Sequence, residues 1–132
     1  MINDRGLVID RWTREVTTKF LQDCVGSSRD DRLPRTQLGQ HAALQLARSS
    51  TSTFANYGEV QSAESRRDFI HKLGICFKEL RETRTWLKFV GKMGFSSPEA
   101  LDPLLRESDE LLAIISTSIK TARRNSLPTQ RP

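Results

Sequence analysis

The sequence contains few of the residues with which small proteins build covalent or metal cross-links. Its 132 residues include two cysteines, Cys24 and Cys76, and two histidines, His41 and His71. Neither histidine has a cysteine or carboxylate at metal-ligand spacing, so no metal or cofactor is expected. Each cysteine falls within an apolar helical pattern, which leaves open a disulfide or two buried free thiols and favours the thiols.

Long apolar runs and turn-forming residues are also scarce. No stretch approaches the roughly 20 apolar residues that cross a bilayer, and the N-terminus lacks the apolar run of a signal peptide. We therefore expect a cytoplasmic protein with no membrane partner. The chain has only 7 glycines and 5 prolines, and most of them stand where helices could begin or end. This composition favours helices over many short strands.

Motifs that would indicate catalysis are missing from the sequence. There is no Gly-rich phosphate loop, no CxxC pair and no GxSxG nucleophile motif. The sequence therefore predicts a protein that is not an enzyme.

Apolar residues recur every three or four positions in four segments, which predicts four α-helices. The first runs from about Leu7 to Cys24, and the second begins near Leu33. Short connections between such helices favour antiparallel neighbours, so the predicted fold is an all-α, up-down four-helix bundle over residues 1–124. The polar segment 125–132 contains two prolines and is expected to be a disordered tail.

The third segment has the strongest pattern. Seven positions alternate spacings of four and three over three heptads, as in a bundle seam: Phe69, Leu73, Cys76, Leu80, Thr83, Leu87 and Val90. Ser62 or Ser65 can cap the start of this helix, and glycines mark its end. Leu80 and Leu87, at the centre of the seam, are predicted to lie in the core.

Two helix boundaries have more than one interpretation. The serine and threonine run at residues 49–53 by itself indicates a loop, because these side chains compete for backbone hydrogen bonds. Before the fourth segment, Ser97 and Pro98 have the pattern of a cap and a first helical residue. Pro103 would remove a hydrogen bond from a helix that began there. We therefore expect either a main helix capped by Asp102 or a kinked helix.

Residues 45–90 contain five short motifs in order: Arg48-Ser49-x-Thr51-Ser52, Ala55-Asn56-Tyr57, Ala63-Glu64-Ser65-Arg66, Asp68-Phe69-Ile70-His71-Lys72-Leu73 and Glu82-Thr83-Arg84-x-Trp86-Leu87. Their order and spacing resemble, without a gap, the bacterial four helix bundle protein family. The founding members of that family are encoded in intervening sequences of 23S rRNA genes. The resembling part covers about a third of the chain.

The resemblance implies a four-helix bundle in which the serine-rich stretch continues the second helix. It also implies a ring-shaped homopentamer, and the family offers no catalytic residues. A related group comprises basic pentameric accessory subunits of the reverse transcriptases in diversity-generating retroelements, which bind nucleic acid. The sequence departs from the family at Phe54, where relatives have a small residue, and at Gly58, where they have a charged one.

Charge is distributed unevenly along the chain, which carries 21 Lys and Arg against 16 Asp and Glu. On the outer face of the third segment, opposite the seam, five of eight positions are basic and none is acidic. We call these residues the basic face: Arg67, Lys78, Arg81, Lys88 and Lys92. Solvent-exposed helix faces normally mix both signs, so this face is a candidate site for binding nucleic-acid phosphates.

The third segment also has more apolar surface than one seam requires. We call one flank of the seam the predicted interface, because a second subunit could cover it: Ile75, Glu79, Glu82, Trp86 and Phe89. Its two glutamates could pair with arginines of that subunit. The aromatic residues could instead stack on bases, but their helical spacing favours a core or interface role. Asn56 is expected to bond backbone groups rather than a ligand.

Two functional hypotheses follow from the sequence. In the first, the protein is a non-enzymatic oligomer that binds RNA or DNA through phosphates and assists a nucleic-acid enzyme such as a reverse transcriptase. In the second, it is a structural or adaptor oligomer that binds only proteins. The sequence alone does not distinguish RNA from DNA.

Overall fold

The computed structural model describes residues 3–16 and 37–126, and within them the chain forms four α-helices and no strand. The helices are α1 (Asn3–Glu15), α2 (Gln37–Gln61), α3 (Arg66–Lys92) and α4 (Pro98–Ser126). Because only a few residues join α2 to α3 and α3 to α4, these helices run antiparallel, and α1 packs against α2 and α4. The prediction of an up-down four-helix bundle is confirmed.

Some predicted boundaries differ from those of the structure. Helix α1 begins at Asn3 rather than at Leu7, while its predicted end at Cys24 and the predicted start of the second helix lie outside the described residues. Helix α4 continues through Ser126, two residues beyond the predicted end of the bundle. The rest of the predicted tail lies outside the described residues.

All four helices contribute to one hydrophobic core. From α3, Leu80 and Leu87 are fully buried, as the heptad pattern predicts. Helix α1 contributes Trp12, whose indole N–H donates a 3.1 Å hydrogen bond to the Ser108 hydroxyl of α4. Both side chains are buried, so this bond satisfies the one polar atom that the indole brings into the core.

The cysteine predicted to be buried on α3 lies in the same core. Cys76 is a free thiol with no exposed surface, and burial raises its pKa to about 12. Its sulfur lies 3.5 Å from the Thr53 carbonyl oxygen. The prediction of a buried free thiol is confirmed for Cys76, whereas Cys24 lies outside the described residues.

The serine and threonine run lies within α2, as the family resemblance implies, and the loop interpretation is wrong. The hydroxyls of Ser49 and Thr53 donate to carbonyls four residues earlier, each at 2.8 Å. The Thr83 hydroxyl of α3 in turn donates to Ser49 Oγ at 2.8 Å. Because these hydroxyls find acceptors inside the helix pair, they do not compete with the helix.

Both ends of α3 are closed by local hydrogen bonds. Ser65, one of the two predicted caps, accepts a 3.0 Å bond from the Asp68 backbone N–H, and the Asp68 carboxylate accepts one from the Glu64 N–H. This second bond, with help from Lys72, holds the pKa of Asp68 below its usual value. At the other end Gly94 has φ +69°, a backbone conformation that glycine adopts readily.

Helix α4 begins at Pro98 with Ser97 as its cap, because the Ala100 backbone N–H donates 3.3 Å to the Ser97 hydroxyl. Pro103 lies inside the helix, near its N-terminus. The expectation that Asp102 caps the main helix is therefore wrong. Pro103 forfeits one intrahelical hydrogen bond, and the packing of the buried Leu101 and Leu104 on either side of it outweighs that loss.

Candidate nucleic-acid interface

The five side chains of the basic face lie on one side of α3, away from the core. Burial of the seam residues fixes the rotation of the helix, so residues half a turn from the seam point outward. All five are exposed to solvent: Arg67, Lys78, Arg81, Lys88 and Lys92. The structure therefore brings the predicted phosphate-binding residues together on one continuous surface.

Four basic residues at the contacts between helices pair with carboxylates: Arg11, Arg48, Lys72 and Arg84. Arg11 pairs with Glu107 at 3.2 Å, Lys72 with Asp68 at 3.1 Å, and Arg84 contacts Asp109 from α3. By contrast, no side chain of the basic face forms an ion pair or hydrogen bond with any of residues 9–16 or 37–125, whose side chains the structure describes. Its charge is therefore available to an external anion.

Arg81 has a different contact within the basic face. Its guanidinium carbon lies 5.9 Å from the centre of the Phe77 ring, within the range of a cation–π interaction. This contact holds the arginine against the helix surface and covers part of a half-buried aromatic ring. Hydrogen-bond donors of the guanidinium stay available to solvent.

The predicted interface faces α2 of the same chain. Arg48 on α2 forms ion pairs with both Glu79, at 3.3 Å, and Glu82. These two carboxylates thus have an intramolecular partner, which the spacing within α3 could not reveal. Sequence reasoning missed Arg48, because pairing across two helices depends on their relative register.

The aromatic residues of the predicted interface are also partly covered by their own chain. Trp86 meets His41 of α2 edge to face, with ring centres 5.6 Å apart, and contacts Phe89 in the same way at 5.5 Å. Phe89 in turn contacts the buried Phe95 at 6.5 Å. Trp86 and Phe89 therefore pack against the core of their own chain. Their role in an interface between subunits stays a prediction. Ile75 is half-buried.

Helix α2 exposes apolar side chains that the sequence patterns did not indicate as a surface. Leu44 is 67% exposed, Phe54 49% and Leu38 43%. Phe54, which departs from the family pattern, therefore lies outside the core. Asn56 bonds the Ser52 carbonyl at 2.8 Å within the helix, which fits its expected backbone role. The sequence did contain a signal for the exposure of Leu44. This residue stands two positions from both Ala42 and Leu46, so it lies off the stripe that faces the core.

Carboxylates on α4 lie beside the basic face. Asp102 lines a groove of about 440 Å³ together with Lys88 and Lys92 of the basic face. Exposed acidic residues follow one another along the first half of this helix: Glu99, Asp102, Asp109 and Glu110. An anion bound by the basic face is therefore repelled on the α4 side.

One carboxylate of α4 has an unfavourable environment. Burial, reinforced by the nearby charge of Glu15, raises the pKa of Glu107, and the contact with Arg11 opposes this rise. Oxygen Oε2 of Glu107 is buried and has no hydrogen-bond partner among the described residues. This group lies between α1 and α4, away from the basic face, so its pKa shift concerns stability.

The other grooves offer no evident arrangement for acid–base or metal chemistry. The groove at the opposite end of the bundle, about 710 Å³, is formed by the end of α2, the start of α3 and the last turns of α4. Its single charged lining residue is Arg66, whose guanidinium donates to the Asn125 carbonyl. Among residues 9–16 and 37–125, no three His, Cys, Asp or Glu side chains cluster as metal ligands would. None of the helices there is long and apolar enough to cross a membrane.

Comparison with known proteins decides the family. The sequence model of the 23S rRNA-intervening sequence protein family matches residues 32–117, well over half of the chain. The chain belongs to this family. It is also similar to a solved structure from Bacteroides thetaiotaomicron, a protein of unknown function from the S23 ribosomal protein family. The two share 26% sequence identity and a TM-score of 0.69, over 91% of this chain and 99% of that one. No curated protein matches the chain.

Membership confirms the resemblance deduced from the five motifs between Gln45 and Val90. In this member of the 23S rRNA-intervening sequence protein family, the matched region begins just before α2 and ends within α4. It therefore includes the whole of α3, with the basic face and the predicted interface.

Proposed function

We propose that this protein is a non-enzymatic nucleic-acid-binding protein that contacts phosphates through the basic face of α3. The observation that carries the proposal is that five basic side chains without an acidic partner among the described residues share one exposed helix face. The basic residues at the contacts between helices instead pair with carboxylates: Arg11, Arg48, Lys72 and Arg84. Lys78 and Arg81 stand three residues apart and Lys88 and Lys92 four, so these like charges repel each other weakly, and a bound anion would relieve the repulsion.

The side chains of the basic face suit phosphate contacts. They are two arginines and three lysines, whose cationic groups bind phosphate oxygens whatever the base sequence. Affinity would then depend on charge and little on sequence. The family's description refers to sequences within 23S rRNA, which supports RNA as one ligand to test.

The proposed working form is a homo-oligomer, with the pentamer of the family resemblance as its expected size. The exposed Leu38, Leu44 and Phe54 of α2 are apolar surface that a second subunit could cover. Trp86 and Phe89, still half-exposed beside α2, would extend that contact. Repetition of the basic face around a ring would add weak phosphate contacts together through avidity. A nucleic-acid enzyme such as a reverse transcriptase is the proposed protein partner.

The same exposed residues favour a second candidate function. An adaptor oligomer that binds only proteins would also expose apolar side chains, and it would leave the basic face without a ligand. The two functions differ in one measurable property, which is affinity for nucleic acid at low salt.

The test compares two triple variants with the same change in net charge. Lys78→Glu/Arg81→Glu/Lys88→Glu reverses the centre of the basic face, whereas Arg106→Glu/Lys120→Glu/Arg124→Glu reverses three exposed charges on α4. Fluorescence anisotropy with labelled RNA and DNA should show binding by the wild type and the α4 variant, and loss of binding by the α3 variant. Circular dichroism checks that both variants fold.

The salt dependence adds a quantitative criterion. Five neutralised phosphates on a duplex give a slope of about −4.5 in log affinity against log salt. A wild-type protein that binds neither single strands nor duplexes at low salt would support the adaptor function instead. Light scattering after size exclusion measures the subunit number, and a monomeric mass at micromolar concentration would contradict the oligomer.

A further inference from the structure

We infer that the ligand of the basic face is a double helix rather than a single strand, an inference that rests on the proposed function. Three features of α3 favour a double helix: the spacing of its charges, the packing of its aromatic residues and its rigidity.

The five basic residues form three groups along α3. Arg67 stands alone near the start, Lys78 and Arg81 lie near the middle, and Lys88 and Lys92 lie at the end. At a rise of about 1.5 Å per residue, the group centres lie at roughly 0, 19 and 34 Å along the helix axis. The charges are therefore clustered at intervals rather than spread evenly.

A duplex presents its phosphates to a straight rod at comparable intervals. Its two backbones are separated alternately by a groove about 12 Å wide and one about 6 Å wide, so longer and shorter intervals alternate between successive backbones, each wider than its groove by the width of a backbone. The pattern repeats after one turn of roughly 34–36 Å. A helix lying along one side of the duplex thus meets a backbone about three times within one turn. The three charged groups of α3 match three such crossings, with Arg67 and the centre of the Lys88 and Lys92 group about one turn apart.

The aromatic residues near the basic face are not placed for stacking on bases. Phe77 lies beneath Arg81, Trp86 meets His41 edge to face, and Phe89 is packed against Phe95. Proteins that hold single strands combine a basic groove with aromatic rings on which successive bases stack. The exposed side chains of the basic face instead offer charge alone, which suits a ligand whose bases are already stacked.

Helix α3 also has the rigidity that such a match requires. It runs without interruption for 27 residues, is capped by Ser65 and closes at Gly94. The spacing of its charges is therefore fixed before binding. A duplex is stiff over far more than one turn, with a persistence length of about 150 base pairs, so neither partner has to be ordered. A flexible single strand would lose conformational freedom on the same surface.

The experiment uses fluorescence anisotropy of the full chain with labelled hairpins and an unpaired strand at low salt. Hairpins with stems of 6 and 14 base pairs, in DNA and in RNA versions, are compared with an unstructured strand of 28 nucleotides. At about 3.4 Å per base pair, the longer stem exceeds the length of the basic face and the shorter one covers only about half of it. The 14-base-pair stems should bind at least tenfold more tightly than either the short stems or the unpaired strand.

A variant separates the end charges from the central ones. Arg67→Gln/Lys92→Gln should weaken binding of the long stem by at least fivefold and change binding of the short stem by less than twofold, because a short stem cannot reach both ends. Arg106→Gln on α4, exposed and outside the basic face, is the matched single-site control. Equal losses on both stems would contradict the proposed register.

The outcomes separate this inference from the proposed function. Equal or tighter binding of the unpaired strand would overturn the duplex inference while leaving phosphate binding intact. A lack of binding to every probe would overturn the proposed function itself. If the long stem binds more tightly in both its DNA and RNA versions, the protein recognises the spacing of phosphates in either duplex. If it does so in one version alone, the duplex inference is supported and the ligand is identified as that kind of duplex.

Discussion

Thr83 of α3 donates a 2.8 Å hydrogen bond to the hydroxyl oxygen of Ser49 on α2, and neither side chain has any exposed surface. The Ser49 hydroxyl donates in turn to the Gln45 carbonyl of its own helix at 2.8 Å. This short relay is a polar contact within an otherwise apolar helix pair. It joins α2 to α3 at one register, while each hydroxyl also has an acceptor four residues earlier in its own helix, which for Thr83 is the Glu79 carbonyl at 2.9 Å.

The first prediction concerns this relay. Thr83→Val keeps the shape of the side chain but removes the donor, and we expect it to cost about 1 kcal/mol of unfolding free energy. Ser49→Ala should cost a similar amount, and the double variant less than the sum of both. Urea denaturation of the four proteins gives the coupling energy. Additive effects would show that the hydroxyls stabilise the bundle independently of each other.

The second prediction tests the register of α3. Leu80→Ala removes a fully buried side chain at the centre of the seam and should cost about 2–5 kcal/mol. The matched control is Leu44→Ala on α2, which is 67% exposed and should change stability by less than about 0.5 kcal/mol in a monomer. Thermal melts compare the two. An unchanged melting temperature for the Leu80 variant would contradict the assigned seam.

The third prediction concerns the cap of α3. Ser65→Ala removes the hydroxyl that accepts from the Asp68 backbone N–H, and we expect a loss of about 1 kcal/mol. Ser65→Asp, which can accept the same bond, should restore most of the stability. Ser62→Ala serves as the control, since that residue lies in the turn before the helix. A larger effect at Ser62 would move the start of α3.

The fourth prediction concerns Glu107, whose pKa is raised by burial. Between its ordinary value and the raised one, the folded state binds more protons than the unfolded state. Stability therefore falls as the pH rises through this window and is regained on acidification. Glu107→Gln keeps an acceptor for Arg11 but removes the buried charge, so it should melt above the wild type at pH 7.

The pH profile separates the effect of burial from that of the ion pair. The difference in melting temperature should shrink as the pH is lowered through the raised pKa, because the wild-type carboxyl then becomes protonated. Thr117→Ala, on an exposed position of α4 without a titratable group, is the control and should show no such trend. If Glu107→Gln were less stable than the wild type at pH 7, the contact with Arg11 would outweigh burial.

The prediction from sequence agrees best with the structure for features that depend on residue spacing within a single helix. The seam of α3 from Phe69 to Val90 could be predicted because each heptad position has the same environment along the whole helix. Its cap at Ser65 could be predicted for a similar reason, since a capping bond joins residues three apart. The basic face follows directly from this seam, because residues opposite a buried stripe point to solvent.

The prediction from sequence differs from the structure where the local conformational preference of a residue competes with packing of the core. Considered alone, the serine-rich run of α2 indicated a loop, and Pro103 made a start at Asp102 plausible for α4. In both places burial of neighbouring apolar residues keeps the helix continuous. The five family motifs corrected the first of these interpretations but gave no information on the second.

By itself the sequence determined the fold class, the core face of α3, the outward position of the basic face and the family. All of these depend on spacing within one helix or on motifs in fixed order. Only the tertiary structure decided that Arg48 pairs with Glu79 and Glu82, and that Thr83 meets Ser49. It likewise decided that the basic face has no acidic partner among the described residues. The physical reason is that pairing across helices depends on their rotation and axial register, and the packing of the whole core sets these.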